Sequence, residues 1–207
     1  RRCVYIICIG LIIALADRVQ AVDFVAAGDQ LWSNPANWSG GSLPTTSDWA
    51  KISNASPLHQ TVLINSGVNA VSSKTHLGYN GGGTLIIDGG TLTMDGDDLL
   101  LGKNGGSGTL NLISGAIDVG KDLEVGGGNP GVINMSNGTI NIARDFDIPE
   151  SAGSAAEVHL DGGMITVNGA LTMGSTGSLD IDGGTLVVDG DVTNTINGYI
   201  ASGWITA

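Results

Sequence analysis

The sequence predicts an all-β protein, a single-stranded parallel β-helix (β-solenoid) in which each coil of about 23 residues carries three short strands. Two observations support this prediction. A similar stretch recurs five times at steps of 21 to 25 residues, and a repeat of this period is typical of a solenoid. Within each copy apolar and polar residues alternate, which is the pattern of a strand with one buried face. The variable length of the repeat favours a right-handed coil, because left-handed solenoids usually keep a strict six-residue repeat.

Residues 1–21 have the layout of a secretory signal peptide. Arg1 and Arg2 precede an apolar run at residues 3–16, and Val19-Gln20-Ala21 offers a cleavage site. The alternative is a transmembrane anchor, but about 14 apolar residues are fewer than the roughly 20 that span a bilayer. We therefore expect export, a secreted or cell-surface location and no membrane span in the mature chain.

The mature chain is expected to be strongly acidic. Removing Asp17 and three arginines with the signal peptide leaves 19 acidic residues against five basic ones. Such a surface repels phosphate backbones, so nucleic-acid binding is not expected. Both cysteines, Cys3 and Cys8, lie in the predicted signal peptide, so the mature chain is expected to form no disulfide and no thiolate metal site.

The coils are predicted over residues 49–195, after an N-terminal lead-in or cap at residues 22–48. Residues 50–77 form a degenerate first coil, and about six coils are expected in all. Each coil directs the apolar side chains of three strands inward. The first strand opens with Leu85, Leu110, Ile133, Val158 and Leu179, the second with Leu92, Ile117, Ile140, Ile165 and Leu186, and the third with Leu99, Leu123, Phe146, Leu171 and Val192.

Aspartates recur at the corner between the second and third strands, where parallel stacking would place them about 5 Å apart. Carboxylates at this spacing repel each other unless a cation or hydrogen bonds intervene, and Ca²⁺ is the candidate cofactor. The favoured alternative is that each carboxylate accepts a backbone N–H at its own turn, since the chain lacks the Gly-Gly-x-Gly-x-Asp repeat. The four candidate calcium ligands are Asp98, Asp122, Asp145 and Asp191.

Residues 196–207 have lost the glycine corners, and they are predicted to cap the stack or to begin a truncated segment. Aromatic residues concentrate near the two ends of the chain. Trp32, Trp38 and Trp204 are candidates for glycan contact by stacking on sugar rings. The favoured alternative is that such rings plug the open ends of the core. His59 and His76 are expected to be ordinary surface histidines.

The stretch at residues 29–52 contains the pattern Trp-x4-Asn-Trp-x5-Pro, which runs from Trp32 to Pro44 and precedes Gly-Gly-Thr-Leu repeats. It resembles the lead-in of exported bacterial β-solenoid proteins of the autotransporter-associated β-strand-repeat and PEP-CTERM-type surface families. The tail at residues 197–206 is similar to the region that closes such solenoids. The resemblance implies a secreted or surface-displayed passenger. The chain departs from these families in lacking a barrel segment and a Pro-Glu-Pro sorting tail.

No catalytic residue is assigned from the sequence. The nearest approach to a carboxylate and histidine cluster is formed by His159, Asp180 and Asp182, which strand alternation directs outward. The leading hypothesis is a secreted or cell-surface structural scaffold of adhesion type without catalytic activity. The alternative is a carbohydrate-binding or polysaccharide-degrading β-helix. Extracellular polysaccharide and cell-surface components are the expected partners.

Overall fold

The predicted β-solenoid is confirmed. The computed structural model describes residues 19–28, 30–53 and 59–207, so nearly all of the predicted signal peptide lies outside the described residues. A 3-10 helix spans Pro35–Asn37 and one α-helix, α1, spans Thr193–Ala201. The strands are β1 (Gln20–Asp23), β2 (Asp48–Ile52), β3 (Gln60–Asn65), β4 (Asn69–Ser72), β5 (Lys74–Leu77), β6 (Gly83–Met94), β7 (Leu99–Leu101), β8 (Gly108–Val119), β9 (Leu123–Val125), β10 (Gly131–Met135), β11 (Thr139–Ile142), β12 (Phe146–Ile148), β13 (Ala156–Leu160), β14 (Met164–Val167), β15 (Leu171–Met173), β16 (Gly177–Asp180), β17 (Thr185–Val188) and β18 (Ile205–Thr206).

The strands stack in parallel and form three faces of the solenoid. The first face contains β3, the first halves of β6 and β8, and then β10, β13, β16 and β18. The second face contains β4, the second halves of β6 and β8, and then β11, β14 and β17. The third face contains β1, β2, β5, β7, β9, β12 and β15. There are about eight turns of roughly 24 residues, more than the six predicted, because β1 and β18 extend the stack into the lead-in and the tail. The right-handed sense stays a prediction.

The core consists of aliphatic columns that run along the solenoid axis. Strand pairing places Val62 beside Leu85, Leu85 beside Leu110 and Leu110 beside Ile133, and all four side chains are fully buried. This confirms the predicted inward columns, including the degenerate first coil. Each turn therefore buries its apolar side chains against the turns above and below, which is how a repeat that cannot fold alone becomes stable.

The corner between the first and second faces is a tight stack of backbone. In β6 and β8 the strand continues around this corner without a break, where two separate strands were expected. Gly115 adopts a φ of 106° there, and a Cβ on it would lie 2.1 Å from the carbonyl oxygen of Gly90 in the turn above. Glycine is therefore required both for the backbone conformation and for the close approach of two turns.

Aromatic side chains close the N-terminal end of the core. Trp32, Trp38 and Phe24 are each 1% exposed. The Trp38 ring centroid lies 4.6 Å from that of Trp32 and 5.2 Å from that of Phe24, in edge-on contacts. The Trp38 indole N–H donates to the carbonyl oxygen of Trp32 over 2.8 Å. Leu31 forms a parallel bridge with Leu63 in β3, so the lead-in pairs with the N-terminal edge of the first face.

The C-terminal end differs from the prediction at Val192. This residue was expected to open a third strand, but it immediately precedes α1. The predicted strand had no second inward apolar residue, because Asn194 occupies that position. The helix instead packs Ile196 and Tyr199 against the core. The segment at residues 196–207 then continues into β18, which pairs with β16 on the first face.

Candidate functional site

The predicted aspartate column is a ladder of hydrogen bonds between turns. Asp98 Oδ1 accepts the backbone N–H of Asp122 over 3.3 Å, and Asp122 Oδ1 accepts that of Asp145 over 3.1 Å. Asp145 Oδ1 accepts the N–H of Ala170 over 2.8 Å. The favoured alternative to calcium is therefore correct about the donors, which are backbone N–H groups. It is wrong about their place, because each donor belongs to the following turn.

Basic side chains neutralise this ladder. Lys74 Nζ lies 2.8 Å from Asp98 Oδ2, and Lys121 Nζ lies 3.2 Å from Asp98 Oδ1 and 3.6 Å from Asp122 Oδ2. Arg144 lies 3.5 Å from Asp122 and 3.7 Å from Asp145. Burial alone would raise the pKa of Asp98, but the hydrogen bonds and charges of its partners outweigh burial and lower this pKa to about 2.

The carboxylates of the column do not fit a calcium ion. Oxygens of Asp98, Asp122 and Glu124 come within 4.8 Å of one another, which is close enough for a shared cation. However, both oxygens of Asp98 and of Asp122 already face a backbone N–H or a basic side chain. Ca²⁺ needs six to eight oxygen ligands, and the Lys121 ammonium already bridges Asp98 and Asp122.

Asp191 does not belong to the column. It is exposed beside the start of α1, where its Oδ1 accepts the backbone N–H of Thr193 over 3.3 Å. The sequence placed it in the column because it precedes Val192, as Asp98 precedes Leu99. The third face ends at β15, and no third-face strand forms at Val192. The Asp191 carboxylate therefore has no neighbouring turn on this face to bond.

An Asp122→Ala variant is expected to lower the free energy of unfolding by about 1–3 kcal/mol, because it leaves the Asp145 N–H without its acceptor and removes a partner of both Lys121 and Arg144. Asp182→Ala serves as the control, since Asp182 is exposed, and is expected to change stability by less than about 0.5 kcal/mol. Guanidinium unfolding midpoints measure both effects. Equal midpoints for the two variants would contradict a stabilising role for the ladder.

The candidate glycan contacts at the ends divide into two groups. Trp32 and Trp38 are buried in the core, and this corrects the glycan-contact prediction for both, because no ring face is left for a sugar. Trp204 is half-buried, packs against the core and stacks on Tyr199 with ring centroids 5.7 Å apart. Packing at the two ends of the solenoid, which was the favoured alternative, is the observed position of all three rings.

The predicted carboxylate and histidine cluster is only partly brought together. His159 and Asp180 are neighbours in the pairing of β13 with β16. The His159 Nε2 atom, however, lies 3.7 Å from Glu157 Oε2, and Asp180 Oδ1 accepts the hydroxyl of Thr206 over 2.7 Å. Asp182 is exposed at the next corner. The groups therefore bond along the wall in separate pairs and do not converge on one point.

A cluster that the sequence did not predict lies on the outer side of the third face, where Lys51 of β2 pairs in register with His76 of β5. The His76 ring contacts two half-buried aromatic rings: it stacks on Trp49 with centroids 5.9 Å apart, and its centroid lies 5.3 Å from that of Tyr79. Lys51 Nζ lies 4.0 Å from the Tyr79 ring centroid. We refer to Trp49, Lys51, His76 and Tyr79 as the third-face cluster.

His76 is 5% exposed, so the expectation of a surface histidine is wrong. Among the described residues neither of its ring nitrogens has a hydrogen-bond partner, and both nitrogens are buried. Burial, together with the charges of Lys74, Lys51 and Lys103, lowers the pKa of His76 to about 3. The imidazole is therefore neutral at ordinary pH. From the sequence, the alternation of Lys51 with the core residues Ala50 and Ile52 could have indicated that Lys51 points outward. It could not have indicated that His76 is its neighbour.

No protein-family model, curated protein or solved structure matches the chain. The resemblance to exported bacterial β-solenoid surface proteins therefore stays a prediction. Within the described part of the chain, no helix is long and apolar enough to cross a membrane.

Proposed function

We propose that the chain is an exported structural β-solenoid, a non-catalytic scaffold of adhesion type that makes contacts at a cell surface or in an extracellular matrix. The observation that carries this proposal is the use of the polar groups on the outer wall. The carboxylates of the aspartate ladder bind backbone and basic groups of neighbouring turns, so they join successive turns along the axis.

Other outward polar side chains are used in the same way. Asn134 donates to Asn111 over 2.8 Å on the first face, and Asn141 donates to Asp118 over 2.8 Å on the second face. Lys103 joins Glu124 of one turn to Glu150 of the next, at 2.7 and 3.4 Å. Bonds repeated along the axis favour a stiff rod whose walls can serve as contact surfaces. The signal-peptide layout and the family resemblance support export of such a rod.

The competing function is that of a polysaccharide-degrading β-helix, and the proximity of His159 to Asp180 is the feature that favours it. Incubation of the mature protein with a panel of acidic and neutral polysaccharides, with and without Ca²⁺, separates the two functions. The scaffold proposal expects no new reducing ends and no unsaturated sugars at any time point. Release of either product, lost in a His159→Ala variant of unchanged thermal stability, would overturn it.

A further inference from the structure

Among the described residues, the third-face cluster contains an ammonium group without an ion pair and an imidazole without a hydrogen bond. Lys51 and His76 are 9% and 5% exposed, and strand pairing makes them neighbours on the outer side of the sheet. Lys51 lies outside ion-pair distance of every described carboxylate, including Asp23, its partner in the pairing of β1 with β2. His76 has no hydrogen bond to any described group at either ring nitrogen.

This is unusual for the chain, because the other four basic residues described, Lys74, Lys103, Lys121 and Arg144, each contact two carboxylates. Acidic residues outnumber basic ones throughout the sequence. A buried imidazole without a partner costs stability, whereas the Lys51 ammonium lies over the Tyr79 ring and is not buried from solvent. An accessible ammonium that no described carboxylate neutralises can bind an anionic ligand.

The chemistry of the two groups defines which ligand the cluster can bind. The Lys51 ammonium offers only hydrogen-bond donors, and a neutral imidazole offers one donor and one acceptor. Lys74 Nζ lies 5.1 Å from the Trp49 ring centroid, but Asp97 and Asp98 neutralise its charge. A metal cation is disfavoured beside the Lys51 ammonium. A carboxylate matches the donors of Lys51, while the buried His76 nitrogens stay out of reach of a ligand.

The aromatic members of the cluster add the remaining element of recognition. Trp49 and Tyr79 are half-buried, so each ring keeps an accessible part. The loop that carries Tyr79 is fixed beside β2, because the Tyr79 N–H donates to the carbonyl oxygen of Ile52 over 3.3 Å. An aromatic surface packs well against the C–H groups of a pyranose ring, whose hydroxyls then point to the polar side chains.

We propose that the third-face cluster binds a carboxylated sugar unit of an acidic polysaccharide. The carboxylate accepts from Lys51, and the pyranose ring packs on Trp49 or Tyr79, whose rings contact the buried His76 ring. The flexible Lys51 stem lets its ammonium leave the Tyr79 ring and meet the carboxylate. This inference rests on the proposed function, because it names the partner class of the scaffold.

Isothermal titration calorimetry of the mature chain tests the site. The probes are an oligosaccharide of galacturonic acid, a glucose oligosaccharide of the same length and inorganic sulfate. The galacturonate probe is expected to bind, and Lys51→Met is expected to weaken its binding roughly tenfold or more, the equivalent of one lost charged hydrogen bond. Lys51→Arg is expected to retain binding. Lys121→Met is the control, because Lys121 serves the aspartate ladder on the same face.

Each outcome decides a separate point. Equal binding by the Lys51→Met variant and the unmodified chain would overturn the site, as would no binding of galacturonate at all. Sulfate binding as tight as galacturonate binding would show an anion site without sugar recognition and would overturn the assignment to a sugar. Cleavage of the probe during the titration would overturn the non-catalytic scaffold, whether or not the cluster binds.

Discussion

A Gly115→Ala variant is expected to lose about 2–5 kcal/mol of unfolding free energy. Its left-handed φ of 106° costs an L-residue about 1–2 kcal/mol. The added Cβ would also lie 2.1 Å from the Gly90 carbonyl oxygen, and such overpacking costs about 1–3 kcal/mol. The turns must therefore separate at this corner. Guanidinium unfolding followed by far-ultraviolet circular dichroism measures the loss.

Gly153→Ala provides the matched control. Gly153 has a similar left-handed φ of 86°, but nothing lies within 4 Å of the Cβ it would acquire. Only the conformational cost of about 1–2 kcal/mol is expected there. If both variants lost the same free energy, the close approach of neighbouring turns at Gly115 would not contribute to stability.

His76 is expected to make the folded chain sensitive to mild acid. Its folded pKa is about 3, whereas an unfolded histidine has a pKa of about 6.5. Between these values the unfolded chain takes up a proton that the folded chain does not, so stability falls as the pH falls. The loss is about 2 kcal/mol between pH 7 and pH 5. Well above pH 6.5 both states are unprotonated at this residue, so His76 contributes no pH dependence there.

A His76→Phe variant tests this expectation, because phenylalanine keeps the contacts with Trp49 and Tyr79 and removes both unpartnered nitrogens. Its unfolding midpoint is expected to vary less between pH 7 and pH 5 than that of the unmodified chain, and at pH 7 it should be at least as stable. His59→Phe, at an exposed position, is the control. A pH dependence that His76→Phe leaves unchanged would contradict the assignment. Protonation of Asp98 also lowers stability in acid, but its folded pKa of about 2 places that loss of stability at lower pH.

The sequence predicted the core columns well because alternation is a local property that survives in every turn. It failed at Val192 because a strand there would have only one inward apolar residue. The helix instead packs two apolar side chains, Ile196 and Tyr199, against the core. The aspartate ladder was predicted as a column, but its donors were misplaced. The hydrogen bond from the Asp122 N–H to Asp98 depends on how successive turns stack. The sequence of one turn does not indicate this stacking.

The third-face cluster was the least predictable feature, for a related reason. Its members come from β2, β5 and the loop after β5, which precede the clearest repeats. Only the register that sets Lys51 beside His76 creates the cluster. Burial of an outward-facing histidine also depends on Trp49 and Tyr79 folding over it, and no repeated motif indicates this arrangement.

All five basic residues in the described chain lie on the third face or at its edges, in or beside β2, β5, β7, β9 and β12. The outward ionisable residues of the first and second faces, such as Glu157 and Asp118, are mostly acidic. The third face also carries acidic residues in or beside the same strands, among them Asp98, Glu124 and Asp147, so it is net negative like the other two faces. The rods therefore repel one another on every side, and added salt, which screens this repulsion, lets them approach.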